Sequence, residues 1–158
     1  GAIVATPSDA ISADVRRQLA TLPPGPPRHT VVSGSAGQIL RQADAALIAS
    51  GTATLEAAFM RCPMIVAYRV NWLTYIPGRM LIRVPFLGMV NVLARKCICP
   101  EFIQHHARPE AIANAAAPLL HDSPERRTML GELDTIVAGL GPAGGARRPA
   151  DVILEELT

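Results

Sequence analysis

The sequence contains few aromatic residues and no long apolar segment. Phe, Trp and Tyr make up 4% of its 158 residues, and no apolar run reaches the roughly 18 residues that a membrane-spanning helix needs. No N-terminal segment has the basic, apolar and small-residue regions of a secretory signal, and Cys62, Cys97 and Cys99 are an odd number that does not fit a disulfide framework. We therefore expect a reducing, cytoplasmic setting and a protein that is soluble or lies on a membrane surface.

An excess of charge of one sign is lacking as well. The chain has 15 Lys and Arg against 13 Asp and Glu, a formal net charge of +2, and its basic residues are scattered. Because nucleic-acid binding requires a concentrated basic surface, no nucleic-acid partner is predicted. Hydrophobic residues are plentiful at 49%, and the length suits one domain with a sizeable core.

In the first 70 residues, short apolar segments alternate with helical patterns. Strands are predicted over 2–6, 29–34, 45–50 and 63–69, and helices over 12–22, 36–44 and 52–62. Strands that are apolar throughout and separated by helices indicate βαβ units and a parallel sheet covered on both faces. The sequence therefore predicts an α/β fold for residues 1–70, with a surface loop at the prolines between 23 and 27.

Residues 71–158 are predicted to be mainly helical, with no further strand. Helices are predicted over 73–84, 101–104, 109–122, 123–140 and 149–158, with a glycine- and proline-rich hinge over 141–151. Ser123 is predicted to cap a helix that has Pro124 at its first position, because both residue types suit the unpaired N–H groups there. This part would form a helical C-terminal cover over the sheet.

The turn Ser50-Gly51-Thr52 leads directly from a predicted strand into a predicted helix. Free backbone N–H groups at such a turn, together with the helix dipole, form an anion-binding site. Gly51 lets a ligand approach the backbone closely, and Thr52 is predicted to be the N-cap. An ordinary strand-to-helix turn is the alternative interpretation of these three residues.

Glu56 is a single carboxylate in an otherwise apolar helical segment. A capping-box glutamate would stand at Leu55, so Glu56 is one position too late for that role. It lies one turn, about 5.4 Å, beyond Thr52, close to the span from a bound phosphate to an adjoining ribose, whose two hydroxyls a carboxylate can accept. A glutamate stabilised by the helix dipole is the alternative, and both stay open.

A cysteine and histidine cluster has metal-ligand chemistry. It comprises Cys97, Cys99, His105 and His106. Structural zinc pairs are usually spaced by two to four residues, and one short cluster rarely completes a tetrahedral site. We therefore predict no metal and no cofactor, and interpret the thiols as half-buried, the histidines as helix-end residues and Cys62 as core.

The segment 68–87 combines arginines with aromatic residues. Arg69, Arg79 and Arg83 are interspersed with apolar residues and Trp72, a composition that suits an anionic membrane surface or acyl chains. It equally suits a helix whose apolar side closes the α/β core. Both interpretations stay open.

Three stretches carry a family resemblance: "ADAALIASGTATLEAAFMRCPMIVAYR" (43–69), "MVNVLARK" (89–96) and "CPEFIQ" (99–104). They resemble the C-terminal half of the lipid-A-disaccharide synthases, inverting glycosyltransferases with the GT-B fold in Gram-negative bacteria. The resemblance implies a Rossmann-like domain that binds the donor UDP-2,3-diacylglucosamine, while the N-terminal domain binds lipid X. It also implies a β-1,6 linkage, release of UDP and no required metal. Peripheral contact with the inner membrane is a hypothesis that rests on the segment 68–87 and on the apolar surface that a diacylated donor would require.

The resemblance also implies roles for individual residues. Ser50, Gly51 and Thr52 would lie at the donor diphosphate, and Glu56 would face the ribose. Asn91 and Gln104 would hold donor phosphates or sugar hydroxyls. The family's proline and glycine near Asn91 are replaced by Val90 and Arg95. Without the resemblance, Asn91 is interpreted as a turn or loop residue and Gln104 as a solvated helix residue.

The resemblance further implies that the first strand of the domain, and the half carrying the general base, are not in this sequence. That strand is central in a sheet of order 3-2-1-4-5, so its two neighbours would flank a gap with unpaired backbone groups. We expect a fragment of a longer protein or a sheet completed by another chain, for example in an intertwined homodimer. We do not expect this chain alone to transfer a sugar.

Two alternative functions stay open beside donor binding by a lipid-A-disaccharide synthase. One is a fragment that only binds a nucleotide sugar, or only assembles with itself. The other is a different GT-B enzyme that acts on a nucleotide sugar. The spacing of Asn91 and Gln104 argues against the last of these.

Overall fold

The computed structural model describes residues 1–22, 29–49, 51–69 and 85–141, in which strands and helices alternate. The strands are β1 (Ala2–Thr6), β2 (His29–Ser33), β3 (Ala46–Ile48), β4 (Met64–Tyr68) and β5 (Glu101–Ile103). The α-helices are α1 (Asp9–Leu19), α2 (Ala36–Leu40), α3 (Ala53–Phe59), α4 (Met89–Ala94), α5 (Pro109–Ala116) and α6 (Pro124–Gly139). Two short 3₁₀ helices follow β5 and α5, at Gln104–His106 and Ala117–Leu120. The predicted α/β class is confirmed.

The five strands in the described residues form two parallel sheets. One sheet pairs β1 with β2, and the other has the order β3-β4-β5. Among the described strands, β1 and β3 therefore have one neighbour each, and α2 packs against both β1 and α3. Two separate sheets agree with the expectation of a doubly wound sheet from which the central strand is missing.

The prediction of a helix over 101–104 is wrong, and so is the prediction that strands stop at residue 70. Glu101, Phe102 and Ile103 form β5, which runs parallel to β4. Three residues are too few to show any periodicity, so pairing with β4 decides their conformation. Gln104 then ends the strand with a φ of 52°.

Helix starts follow the capping residues. The Ser8 hydroxyl accepts from the Ile11 N–H, so α1 begins at Asp9 and not at residue 12 as predicted. The predicted start of α6 is confirmed, because the Ser123 hydroxyl accepts from the Arg126 N–H and Pro124 is the first helical residue. Helices α2 and α3 are shorter than the predicted ranges 36–44 and 52–62.

The core lies around β4 and the helices that cover it. Its buried members are Ile48, Ala57, Ala58, Cys62, Met64, Ile65, Val66, Val90, Cys99, Leu119, Met129 and Leu133. Cys62 is a core residue, as predicted, and all three cysteines are free. Burial raises the pKa of Cys62 to about 11 and that of Cys99 to about 12, so both stay protonated thiols at neutral pH.

Several predictions lie outside the described residues. They are the loop at 23–27, the helices over 73–84 and 149–158, and most of the hinge over 141–151. The division into an α/β part and a mainly helical part stays a prediction. No helix in the described ranges is both long enough and apolar enough to cross a membrane.

Candidate functional site

The candidate site lies where β3, β4 and β5 end. Parallel strands have their carboxyl ends at one edge of a sheet, and ligands of doubly wound proteins bind outside that edge. Gly51 follows β3 and Gln104 follows β5 directly, so these predicted residues share the edge. Gly51 also forms a parallel bridge with Gly88, the residue before α4. The starts of α3 and α4 are thus brought together, while Ser50 lies outside the described residues.

Gly51 adopts a backbone conformation that favours glycine. Its φ is +117°, and nothing lies within 4 Å of the position that a Cβ would take. The requirement for glycine here is therefore conformational and leaves space beside the backbone. Such space allows the close ligand approach that the sequence predicts for Gly51.

Thr52 is the N-cap residue of α3, as predicted, but its side chain does not cap the helix. Thr52 already has helical dihedrals, with φ −64° and ψ −22°, and its side chain makes no capping hydrogen bond. An N-cap side chain needs extended backbone to reach the N–H groups of the first turn. The hydroxyl of Thr54 is the one that bonds the turn, donating to the Gly51 carbonyl at 2.8 Å. The exposed Thr52 side chain is left for other contacts.

Glu56 is exposed on α3, in the first turn of the helix. No hydrogen bond or ion pair joins its carboxylate to any residue that the structure describes. The capping-box position, Leu55, is apolar as expected. The carboxylate is therefore accessible to a ligand, and its contact with a ribose stays a prediction.

The N–H groups before and at the start of α4 are satisfied by side chains from two other elements. The Glu101 carboxylate accepts from the Leu87 N–H at 2.8 Å and from the Gly88 N–H at 2.9 Å. The Thr54 hydroxyl accepts from the Met89 N–H at 3.1 Å. The loop before α4 is thereby fixed to both β5 and α3.

Asn91 is fully buried within α4, so the expectation of a turn or loop residue is wrong. Its Oδ1 accepts from the Ile98 N–H at 2.8 Å and the Cys99 N–H at 2.9 Å. Its Nδ2 donates to the Cys99 carbonyl at 2.7 Å and to Glu101 Oε1 at 2.8 Å. Both lone pairs and both N–H groups of the amide are therefore used by protein atoms.

The two positions near Asn91 that differ from the family pattern fit the structure. Val90, in place of the proline, is fully buried in the core. Arg95, in place of the glycine, ends α4 with a φ of 55°, in the left-handed region that glycine favours at helix C-termini. The backbone geometry that glycine permits is thus kept in spite of the side chain.

Gln104 is 4% exposed, so the alternative of a solvated helix residue is wrong. It begins a 3₁₀ helix at the end of β5, with a positive φ. A buried polar side chain at the carboxyl edge of a sheet agrees with a place in the site. The adjoining rings of His105 and His106 lie 3.9 Å apart and are exposed.

The structure describes the cysteine and histidine cluster, for which the sequence predicts no metal, and one residue of the predicted membrane contact. Within the described ranges, no three His, Cys, Asp or Glu side chains are grouped so that they could hold a metal ion. Cys97 is exposed and Cys99 is fully buried, so the prediction that both thiols are half-buried is wrong. Arg69 is exposed directly after β4, and Trp72, Arg79 and Arg83 lie outside the described residues.

Sequence reasoning missed three residues of the site: Thr54, Gly88 and Glu101. Glu101 stands alone as an acidic residue between apolar residues, a pattern that the predicted helix over 101–104 left unexplained. A partly buried carboxylate needs donors, so a strand at this position would have pointed to a hydrogen-bond network. Thr54 and Gly88 had no signal of their own, because their roles depend on the meeting of α3 and α4.

Comparison with known proteins identifies a family for this chain. The family described as lipid-A-disaccharide synthetase matches residues 12–140. The lipid-A-disaccharide synthase of Anaeromyxobacter dehalogenans (strain 2CP-C) is 39% identical over 124 residues, which are 78% of this chain and 32% of the relative. That of Syntrophus aciditrophicus (strain SB) is 41% identical over 129 residues, 82% of this chain and 34% of the relative. This chain spans about a third of the length of these curated relatives.

Proposed function

This chain belongs to the lipid-A-disaccharide synthase family, and we propose that it supplies the donor-binding part of a glycosyltransferase in lipid A biosynthesis. The donor is UDP-2,3-diacylglucosamine, the acceptor is lipid X, and the products are the lipid A disaccharide 1-phosphate and UDP. The observation that carries the proposal is the placement of Gly51, Thr52 and Gln104 after β3 and β5, at one edge of the sheet, with Gly51 bridged to Gly88. Edges of this kind are where doubly wound proteins bind nucleotides.

The donor diphosphate lies against the turn of Ser50, Gly51 and Thr52. Gly51 supports this placement, because its positive φ leaves the backbone open to close approach. Thr52 supports it through an exposed hydroxyl that is not used as a helix cap. As UDP leaves, its bonding electron pair moves to a phosphate oxygen, and backbone N–H groups stabilise the growing negative charge.

Glu56 accepts hydrogen bonds from the ribose hydroxyls. Support comes from its exposed carboxylate, which is not engaged by the described residues, and from its distance of one helical turn from Thr52. Gln104 contacts a donor phosphate or sugar hydroxyl. Asn91 belongs to the same site through Glu101, since its own amide is fully bonded to the protein.

Turnover requires residues outside this chain. The acceptor hydroxyl must lose a proton as it attacks the anomeric carbon, and the family resemblance puts the general base in the half that this sequence does not contain. We therefore expect this chain to bind donor nucleotide without transferring sugar. Neither a metal nor a cofactor takes part in the proposed scheme.

A diacylated donor also requires an apolar surface near the site. Arg69 is exposed at the end of β4, on the edge where the donor is proposed to bind. The sequence groups it with Trp72, Arg79 and Arg83, and we propose that these residues contact the anionic inner membrane. Flotation with anionic vesicles tests this, and a protein that stays in the soluble fraction contradicts peripheral binding.

Self-assembly is the second candidate function, and the separation of β1 from β3 favours it. Each of these strands has one neighbour among the described strands, and each carries an exposed apolar side chain, Ile3 and Leu47. A second copy that completes the sheet would form an intertwined homodimer. Light scattering over a range of protein concentrations separates a dimer from a monomer.

Calorimetric titration of UDP into this chain tests the donor site. Glu110 is the matched control for Glu56, because it is also an exposed glutamate in the first turn of a helix. Glu56→Ala is expected to weaken UDP binding about tenfold, the loss of one charge-assisted hydrogen bond, and Glu110→Ala to leave it unchanged.

The 2′-deoxy form of UDP makes the test specific for the ribose. It should bind the wild type more weakly than UDP does, and it should lose less affinity than UDP does in Glu56→Ala, because only the 3′-hydroxyl contact with Glu56 remains to be lost. If Glu56→Ala and Glu110→Ala weakened UDP binding equally, Glu56 would act through its charge alone and not through a contact with the ribose. A folded wild type that does not bind UDP would contradict donor binding by this chain.

A further inference from the structure

We infer that Glu101 is a positioning residue for the proposed donor site: its carboxylate holds the loop before α4, and through this loop and Thr54 it holds the Gly51 turn. The inference rests on the proposed function, because the Gly51 turn is where the donor diphosphate is proposed to bind. In the proposed donor site, Glu101 has no contact of its own with the ligand. Its effect is transmitted by the hydrogen bonds described next.

Three N–H donors converge on the Glu101 carboxylate. The backbone N–H groups of Leu87 and Gly88 donate to Oε2 and Oε1 at 2.8 and 2.9 Å, and Asn91 Nδ2 donates to Oε1 at 2.8 Å. A carboxylate only accepts, so it can satisfy all three donors at once. A glutamine in its place would present an NH₂ group to at least one of them and leave that donor unpaired.

Two connections lead from this carboxylate to Gly51. The first is direct, because Gly88 forms a parallel bridge with Gly51. The second passes through Thr54, whose hydroxyl accepts from the Met89 N–H at 3.1 Å and donates to the Gly51 carbonyl at 2.8 Å. A shift of the loop before α4 therefore changes both supports of the Gly51 turn.

The contacts of Gly88 leave little room for such a shift. A Cβ on Gly88 would lie 3.1 Å from Glu101 Oε1 and 3.1 Å from the Val66 side chain, and 3.8 Å from the Thr54 methyl. The glycine is thus enclosed by the same two side chains that bond its neighbours and by a core residue of β4. Because these neighbours are packed, the loop has one well-defined position next to Gly51.

A purely structural role for Glu101 makes a different prediction from positioning. If Glu101 only stabilised α4, its loss would lower the stability of the chain and leave the Gly51 turn and its ligand affinity unchanged. Positioning predicts altered signals at Gly51 and Thr52, which Glu101 does not touch. It also predicts that the hydroxyl of Thr54 is required.

The first experiment needs no ligand: amide NMR and hydrogen exchange on the chain with Glu101→Gln, with Glu132→Gln as the control. Glu132 lies on α6, is partly exposed and is paired with Lys96, so this control makes the same charge change at a residue that has no hydrogen bond to the described loop before α4. We expect exchange at Leu87 and Gly88 to rise about tenfold in Glu101→Gln only, as expected when charged hydrogen bonds are lost. The signals of Gly51 and Thr52 should shift as well. Changes confined to residues 87–89, or none at all, would overturn the inference.

The second experiment uses Thr54, so that the inference stays testable if Glu101→Gln does not fold. Thr54→Val keeps the side-chain shape but removes the hydroxyl, and should shift the signals of Gly51 and Thr52. Thr54→Ser restores the hydroxyl and should return them towards the wild type. Equal signals in the valine and serine variants would contradict the connection through Thr54.

UDP titration of the same variants measures the consequence for the site. We expect affinity to fall about tenfold in Glu101→Gln and in Thr54→Val, to recover in Thr54→Ser, and to stay within twofold in Glu132→Gln. If wild type binds UDP and Glu101→Gln binds equally well, positioning of the donor site is wrong. If wild type does not bind UDP, the proposed function fails, and the NMR comparison alone decides whether Glu101 fixes the Gly51 turn.

Discussion

The two sheets of this chain differ in how completely they are covered. In the sheet β3-β4-β5, the consecutive residues Met64, Ile65 and Val66 are all buried, because helices and neighbouring strands enclose β4. In the sheet β1-β2, Ile3 is 56% exposed and Val31 is the only buried apolar side chain of the two strands. The first sheet has a core of its own, whereas most apolar side chains of the second sheet are not buried by the residues that the structure describes. A strand sequence can thus be equally apolar in both sheets and contribute very differently to stability.

The largest predicted effect comes from the same truncation made in each sheet. Ile65→Ala in β4 removes a side chain that is 2% exposed and should cost about 2 to 5 kcal/mol, the usual range for a buried isoleucine. Ile3→Ala in β1 should cost less than about 1 kcal/mol, because most of that side chain is already in water. Urea unfolding monitored by circular dichroism measures both changes.

If Ile65→Ala and Ile3→Ala lowered the free energy of unfolding equally, the proposed difference between the two sheets would be wrong. Ile3 would then be covered in solution, which the intertwined homodimer would explain. In that case, dilution should lower the cost of Ile3→Ala, because a dimer dissociates on dilution and a monomer does not. The cost of Ile65→Ala should not change.

A buried polar residue from each region gives the next largest effect. Asn91→Ala, in the covered region, leaves the N–H groups of Ile98 and Cys99 without their side-chain acceptor and should cost about 2 to 3 kcal/mol. Ser12→Ala, in α1, removes one hydroxyl contact with Thr6 and should cost about 1 kcal/mol.

Denaturant unfolding of both variants checks this order. Ser12 is as completely buried as Asn91, so burial by itself does not separate the two residues. The two residues differ instead in how many protein groups lose a hydrogen-bond partner when the side chain is removed. If Ser12→Ala lowered the free energy of unfolding as much as Asn91→Ala, the hydroxyl contact between Ser12 and Thr6 would contribute more to stability than a single hydrogen bond normally does.

The sequence predicted the parts of this fold that depend on local pattern. The strands β1 to β4, the cap at Ser123 and the carboxyl-edge position of Gly51 followed from apolar runs, a capping residue and a turn. The strand β5 did not, because its three residues pair with β4 only in the folded chain. The bonding of Thr54, Asn91 and Glu101 also depends on where α3, α4 and β5 meet, and no spacing in the sequence encodes that meeting.

The smallest predicted effect concerns the ionisation of a buried thiol. The two buried thiols, Cys62 and Cys99, both belong to the core around β4. Burial raises the pKa of Cys62 from 9.0 to about 11, so above pH 9 the unfolded chain loses this proton more readily than the folded chain. Stability that is present below pH 9 is therefore lost as the pH rises towards 11. By pH 10 the loss from Cys62 should be about 1 kcal/mol.

Cys62→Ala and Cys97→Ala test this loss by urea unfolding between pH 8 and pH 10. Stability should fall less steeply with pH in Cys62→Ala than in the wild type, whatever the substitution costs at pH 8. Cys97→Ala should keep a slope closer to that of the wild type, because Cys97 is exposed. If both variants had the wild-type slope, ionisation of Cys62 would not be linked to unfolding, and the core around β4 would admit more water than its burial indicates.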